Sequence, residues 1–565
     1  MTGAGGGGGV GGPADLVMTG GSVMTMDAAR RTTAALALRA GRIVAVGADA
    51  DVEPLIGPAT RRIALEGRTV LPGFQDAHVH PGIAGLALLR CPLHDLPRRL
   101  DEYTAAIERY AEANPDRPWI LGDGWYMEAF PGGTPHRADL DRVVSDRPAY
   151  IVNRDMHGAW VNSRALAIAG IARDTPDPPD GRIERDADGE PTGTLHEGAR
   201  DLVGRLVPLP SVDDRADGLE LAQAYLHRLG ITAWQDAWVT PEDLDAYRRL
   251  DARGGLTARV VAALWWERHR GDDQVDEMIE RRRSVGQHNG ARRLRATTVK
   301  IMQDGVAENY TAAMIEPYLD ADGRPTGNRG LSQVDPAALK RHVARLDAAG
   351  FQVHFHALGD RAVRESLDAI EAARRANGPS DTRHHLAHLQ IVDPADAPRF
   401  KALDATANIQ PFWACNDAQM TELTLPFLTP ERAALQYPFR SLQRAGARLA
   451  GGSDWTVSTP NVLQEVEVAV NRISPEDRSA PPFLPGEALG LVDALAAFTI
   501  GSAYVNHFDD VTASIEPGKL ADLVVLDRDL LATDPRRIGD TRVLLTLVEG
   551  DVVHEAADAG VGLAS

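Results

Sequence analysis

Residues 71–82 read LPGFQDAHVHPG, a Pro-Gly turn followed by an alternating run that ends on two histidines. A strand repeats every two residues, so Phe74, Asp76, His78 and His80 project to one face, where two imidazoles can share one metal ion. Such a His-x-His pair beside a turn also occurs on ordinary surfaces, so the pair alone decides little. Its weight comes from the order of the chain downstream. Polar residues able to bind a metal recur there at the ends of later strand-like runs.

Outward from this stretch, strand-like runs fall at 73–79, 231–236, 258–264, 297–302, 351–356, 384–389, 404–410 and 447–452, eight in all. Helical segments separate many of them; DPAALKRHVARLDAAG (335–350) has apolar residues at helical spacing and stops at Gly350. Strand and helix alternating eight times predict a (β/α)8 TIM barrel over 71–511, with its active site at the C-terminal ends of the strands. Residues 14–70 and 512–565 have a short-strand texture, and each has too few strands to bury a face, so the two ends should form one composite β-sandwich. The interval of about 93–225 is too long for a simple connection. It contains a helix over 100–114, a strand over 148–155 and a hairpin turning at Asp188-Gly189, and reads as an inserted α/β subdomain near the barrel mouth that serves substrate choice. Residues 1–13 are Gly-rich and read as a flexible tail.

Hydrophobic residues make up 44% and charged residues 25% of the 565, the balance of a folded enzyme and not of a disordered chain. A net charge of −20 repels phosphate backbones and anionic lipid, which argues against nucleic acid and membrane partners. Cys91 and Cys415 are too few and too far apart for a disulfide framework or a thiolate cluster and read as buried thiols. With no signal peptide and no run of about 18 apolar residues, the expected compartment is the cytoplasm. A homodimer is the ordinary expectation for such an enzyme.

Lys300 lies inside the apolar run TTVKIMQDG (297–305), where burial disfavours the ammonium and leaves an amine that can add carbon dioxide. In FQVHFHALGD (351–360), His354 and His356 share a face; His356, nearer the strand end, is the ligand candidate, and His354 a hydrogen-bonded neighbour one layer deeper. The same depth argument in RHHLAHLQ (383–390) selects His388, leaving His384 and His385 to orient neighbours. After the last strand, RLAGGSDWTV (448–457) packs small residues before Asp454, which can bind a metal and accept a proton from its water. Trp125, Tyr126, Trp160, Tyr310, Trp413 and Trp455 fall near these motifs and could line an apolar pocket; equally, each could be ordinary packing.

The ordered set of LPGFQDAHVHPG, HGAWVNSRAL (157–166), DADGEPTG (186–193), VKIMQDG, HFHALGDRA, RHHLAHLQ, GGSDW and EPGKLADLVVLD (516–527) resembles the metal-dependent amidohydrolase superfamily, and within it the family 3 group that includes N-substituted formamide deformylases. The resemblance covers about 15–556. It implies that His78 and His80 bind one divalent ion, that Lys300 is carboxylated and bridges, that His356 and His388 bind a second ion and that Asp454 completes the site, with zinc the expected metal. The activity it implies is hydrolysis of a non-peptide C–N bond in a small amide-type molecule, such as an N-substituted formamide, by hydroxide generated at the metal. A deaminase or a carbamate or cyclic-amide hydrolase of the same superfamily is one alternative, and a catalytically silent binding or regulatory member is another. One departure stands out: related chains commonly carry Glu before the sixth-strand histidine, and this one has Ala387.

Overall fold

The computed structural model describes residues 12–93, 96–153, 158–178, 181–286, 293–308, 310–557 and 559. Most of the Gly-rich tail, and His157 at the head of HGAWVNSRAL, lie outside them. The chain divides into two compact units, one of Met1–Pro81 with Gln223–Ser565 and the other of Gly82–Ala222.

The first unit holds eight parallel strands in sequential order: β1 (Phe74–Val79), β2 (Ile231–Val239), β3 (Arg259–Trp265), β4 (Leu294–Met302), β5 (Gln352–Ala357), β6 (His385–His388), β7 (Thr406–Ile409) and β8 (Arg448–Gly451). Beyond β8 the chain returns to β1: Asp454 N–H donates to the His78 carbonyl (2.8 Å) and His80 N–H to the Trp455 carbonyl (2.8 Å), so the sheet closes as a TIM barrel. The crossover helices start and stop on local signals. Helix Pro336–Ala348, between β4 and β5, begins with the Asp335 side chain accepting from Ala338 N–H and Pro336 at its first turn. It ends at Gly350, whose φ of 75° suits a residue with no Cβ.

Both chain ends contribute to two further sheets. One runs Arg42–Gly47, Ala35–Arg39, Leu16–Thr19, Arg61–Ala64; the other runs Asp551–Glu555, Val543–Val548, Leu523–Leu526, Thr69–Pro72, Ser22–Met24, Thr32–Thr33. Leu16, Leu36 and Leu38 of the first and Val70, Leu523 and Leu545 of the second share one apolar core. A buried cation ties this sandwich to the barrel. Arg259 of β3 pairs with Asp522 and with Glu549 (2.6 Å), and Asp522 also accepts from Thr512 Oγ1 (3.0 Å) and Glu549 N–H (2.8 Å), so the buried charges are met.

The second unit is built on a six-stranded mixed sheet in the order Gly181–Arg185, Pro191–Glu197, Gly158–Val161, Ala149–Asn153, Ile120–Trp125, Cys91–Pro92, with helices that include Leu100–Ala113. Its hairpin between Gly181–Arg185 and Pro191–Glu197 turns on DADGEP. Asp186 Oδ1 accepts from the N–H groups of Asp188 (2.9 Å) and Glu190 (2.9 Å), and Gly189 takes a φ of 84°. The same letters recur at 320–323, where Asp320 accepts from Asp322 and Arg324 N–H (2.9 Å each). The motif is a turn whose aspartate is used up by its own backbone.

Candidate metal centre

The site assembles from the ends of β1, β4, β5 and β6 and the segment after β8. His78, His388 and Asp454 are buried, and one ligand atom from each lies within 4.8 Å of the others. Asp454 Oδ1 is 3.2 Å from His78 Nε2 and 2.9 Å from His80 Nε2, so both imidazoles of the opening motif aim at one carboxylate oxygen. The rings of His78 and His388 (4.7 Å between centroids) and of His388 and His356 (4.5 Å) continue the cluster. Lys300 is buried, and its strand neighbour in register is His354.

Hydrogen bonds determine which nitrogen of each imidazole faces the site. Gln352 donates from Nε2 to two backbone carbonyls, Arg383 (2.8 Å) and Val505 (2.8 Å), so its Oε1 must accept, and it does so from Gln235 Nε2 (3.0 Å). Gln235 Oε1 therefore accepts from His354 Nδ1–H (2.7 Å) and His385 Nε2–H (2.9 Å). His354 Nε2 is then left as an acceptor for His78 Nδ1–H (2.8 Å), which makes Nε2 the His78 nitrogen that faces Asp454 Oδ1 (3.2 Å). Asp304 does the same for His356, accepting from Nδ1–H (3.1 Å) and from the N–H groups of Ala313 (3.0 Å), Leu358 and Gly359 (2.9 Å), which frees His356 Nε2. Gln235 and Asp304 carry these roles although the spacing of the sequence assigns them none. Their signal was present as a polar residue inside the apolar run ITAWQD and an aspartate just past the strand in VKIMQDG.

Electrostatics keep the cluster in a metal-binding form. Burial, aided by nearby Lys300, pulls the His78 imidazolium down to about 3, and burial holds His354, His385 and His388 well below their ordinary value, so all four are neutral near pH 7. Burial alone would raise Asp454; the contacts with His78 and His80 overcome it and hold this carboxyl well below the usual range, ionised. Burial brings the Lys300 ammonium down to about 7 against the attraction of Asp454 and Asp236. Neutral imidazoles, one carboxylate and dry walls form a donor set suited to a divalent metal ion. Two ring nitrogens, His80 Nδ1 and His388 Nδ1, are buried without a hydrogen-bond partner among the described residues.

The segment after β8 is locked by Asp76 of β1. Asp76 accepts from Ser453 Oγ (2.6 Å) and from the N–H groups of Ser453 (3.1 Å) and His78 (2.9 Å), and burial pushes its carboxyl up to about 7. Gly452 permits this approach, since a Cβ there would lie 2.6 Å from His78 Cβ.

The sixth strand departs from simple alternation. Register pairs His354 with His385 and His356 with Ala387, so His385 and Ala387 face the lumen and Leu386 faces away. His388 would follow Leu386, but its φ of +83° swings it back toward His78, a strained conformation held by Gln410 Oε1 accepting from His388 N–H (2.7 Å). The assignment of His384 beside the site is therefore corrected: its Nε2 lies 3.1 Å from buried Asp347 Oδ1, and its Nδ1 accepts from Val353 N–H (2.9 Å). His385 holds the inner position. Ala387, in register with both His356 and Asn408, brings no carboxylate to this layer.

The aromatic candidates separate. Trp413 stacks on His388 (5.2 Å, 15°), and Trp455, next to Asp454, packs with Tyr225 (5.0 Å). Tyr310 packs edge-on against Tyr318 (5.6 Å) and Phe427 (5.0 Å) in a local apolar cluster. Tyr126 lies under Arg98 (3.9 Å). Trp125 and Trp160 are corrected: both are core residues of the second unit, each against Phe130 (5.4 Å), with indole N–H groups donating to the carbonyls of Ile151 (2.9 Å) and His136 (3.0 Å). A fully buried ring with its polar atom satisfied has nothing left to offer a substrate.

Known proteins resemble the chain over most of its length. The chain is 33% identical over 530 residues to Protein LONG AFTER FAR-RED 3 of Arabidopsis thaliana, covering 91% of this chain and 87% of that one. It is 29% identical over 563 residues to the N-substituted formamide deformylase of Arthrobacter pascens, covering 96% and 98%. Its fold matches the crystal structure of an uncharacterised metal-dependent hydrolase from Pyrococcus furiosus with a TM-score of 0.72 at 24% identity, over 92% of this chain and 99% of that one. The model of the amidohydrolase family matches residues 61–554, and the chain belongs to that family of metal-dependent hydrolases.

Proposed function

We propose that the protein hydrolyses a non-peptide C–N bond of a small amide-type substrate, with an N-substituted formamide the first candidate. The observation that carries this reading is the convergence of neutral His78 and His388 with ionised Asp454 inside a closed barrel, supported by the similarity to a formamide deformylase over nearly the whole chain. His78, His80, His356, His388 and Asp454, together with Lys300 as a carbamate, would hold two divalent ions, zinc by donor type. Such ions supply Lewis acidity that polarises a carbonyl and acidifies water.

The remaining steps belong to the chain. The Lys300 amine, populated near neutral pH, adds to carbon dioxide; a C–N bond forms, one proton leaves, and the product is an anion where a cation stood. Asp454 accepts the proton of the attacking water and returns it to the departing amine nitrogen, so a neutral leaving group exits and the carboxylate is regenerated. Gln235 and Asp304 hold the ring nitrogens in the orientation that this work needs. The test is a hydrolysis panel of N-substituted formamides, acyl amines, carbamates and cyclic amides with the metal-loaded protein, following amine release. Turnover of the formamides above the other groups is expected; release of ammonia from amino-heterocycles with no amide cleavage would replace the reading with deamination.

A further inference from the structure

Two tryptophans outside the ligand set stand at the strand ends beside it. Trp238, near the end of β2, and Trp265, the last residue of β3, stack with ring centroids 4.4 Å apart and planes within 14°. Trp265 is the register partner of Lys300 on the adjacent parallel strand, a separation of about 4.8 Å between backbones. The connection is tightened by the Lys300 carbonyl, which accepts from Trp266 N–H (3.0 Å). Trp238 is anchored through its backbone. Its N–H donates to Asp236 Oδ1 (3.1 Å), and Tyr247 Oη–H donates to the other Asp236 oxygen (2.8 Å).

The outer ring of this stack is 42% exposed, although its strand neighbours Ala237 and Val239 are buried. Stacking covers one face of Trp238, so the exposed area lies on what the pair leaves open. A flat indole surface favours a third planar ring over a saturated group of equal size, because ring quadrupoles add to apolar contact. We infer that Trp238, backed by Trp265, is a specificity platform that stacks a neutral planar aromatic group carried on one side of the scissile amide. The inference rests on the proposed amide hydrolysis for its choice of ligand, and it adds the class of substituent.

The test uses the full-length, metal-loaded protein and three amides with phenethyl, cyclohexylethyl and n-propyl substituents on nitrogen, with equilibrium binding measured by calorimetry and turnover measured separately. The phenethyl amide should bind roughly three- to tenfold more tightly than the cyclohexylethyl amide. Trp238→Ala should weaken phenethyl binding about tenfold and leave n-propyl binding within about twofold, and Trp238→Phe should restore most of the preference. Equal binding of the two ring compounds, equal losses for all three amides in Trp238→Ala, or no binding of the phenethyl amide would overturn the platform. The aromatic preference without hydrolysis of any amide would uphold the platform and remove the amide-hydrolase reading; hydrolysis without the preference would do the reverse.

Discussion

The barrel lumen around His78 and the core around Trp160 are both sealed from solvent, and they are filled with opposite chemistry. In the lumen His78, Lys300, His354, His385, His388 and Asp454 are packed together, and each polar contact determines the state of the next. In the core of the unit Gly82–Ala222, Tyr103, Ile107, Ile120, Trp125, Phe130 and Trp160 pack as hydrocarbon, with two indole N–H groups satisfied by backbone. Burying ionisable groups is costly, so a fold that concentrates them in one dry pocket sacrifices stability there for chemistry, while the other core recovers it through apolar area. Substitution should therefore damage activity in one region and stability in the other.

The largest separation is expected from Asp454→Asn. The amide is nearly isosteric and cannot take a proton, so hydrolysis should fall by about 10²- to 10⁴-fold while the thermal midpoint stays close to that of the parent. A variant with near-normal turnover would move the proton transfer to another group. The counterpart in the apolar core is Trp160→Ala, which should cost about 3–5 kcal/mol in chemical denaturation of the unit that contains it, with metal content unchanged in the folded fraction. Loss of metal from folded protein would show that the two regions are not chemically separate. A smaller effect should result from Gln235→Leu, which removes the acceptor for His354 and His385 and so the preference for the His78 tautomer that offers Nε2. Metal affinity should weaken by about 10- to 100-fold, read by competition with a chelator. Unchanged affinity would mean that the ring is oriented by packing alone.

Much of the architecture was legible in the sequence because the barrel strands alternate with helices in a strict order, and each of the eight runs coincides with a strand to within a few residues. The candidate ligands stood out as polar residues interrupting apolar strands. What alternation could not reveal was the face of β6, since the positive φ at His388 breaks the two-residue period, and a reading by parity exchanges His384 for His385. Nor could it assign roles to Gln235 and Asp304, because the tautomer of a histidine is determined by partners more than 40 residues away in the chain. Trp125 and Trp160 misled for a related reason. Proximity to a motif in sequence says nothing about which apolar core a ring completes.

Whether the polar lumen is a metal centre is tested most directly by elemental analysis of the purified full-length protein, run beside Lys300→Ala. Close to two divalent ions per chain, mainly zinc, are expected, with a fall toward one or none in Lys300→Ala and partial recovery of activity on adding a short-chain carboxylate. A protein that hydrolyses its substrate at full rate with no bound metal would contradict the assignment.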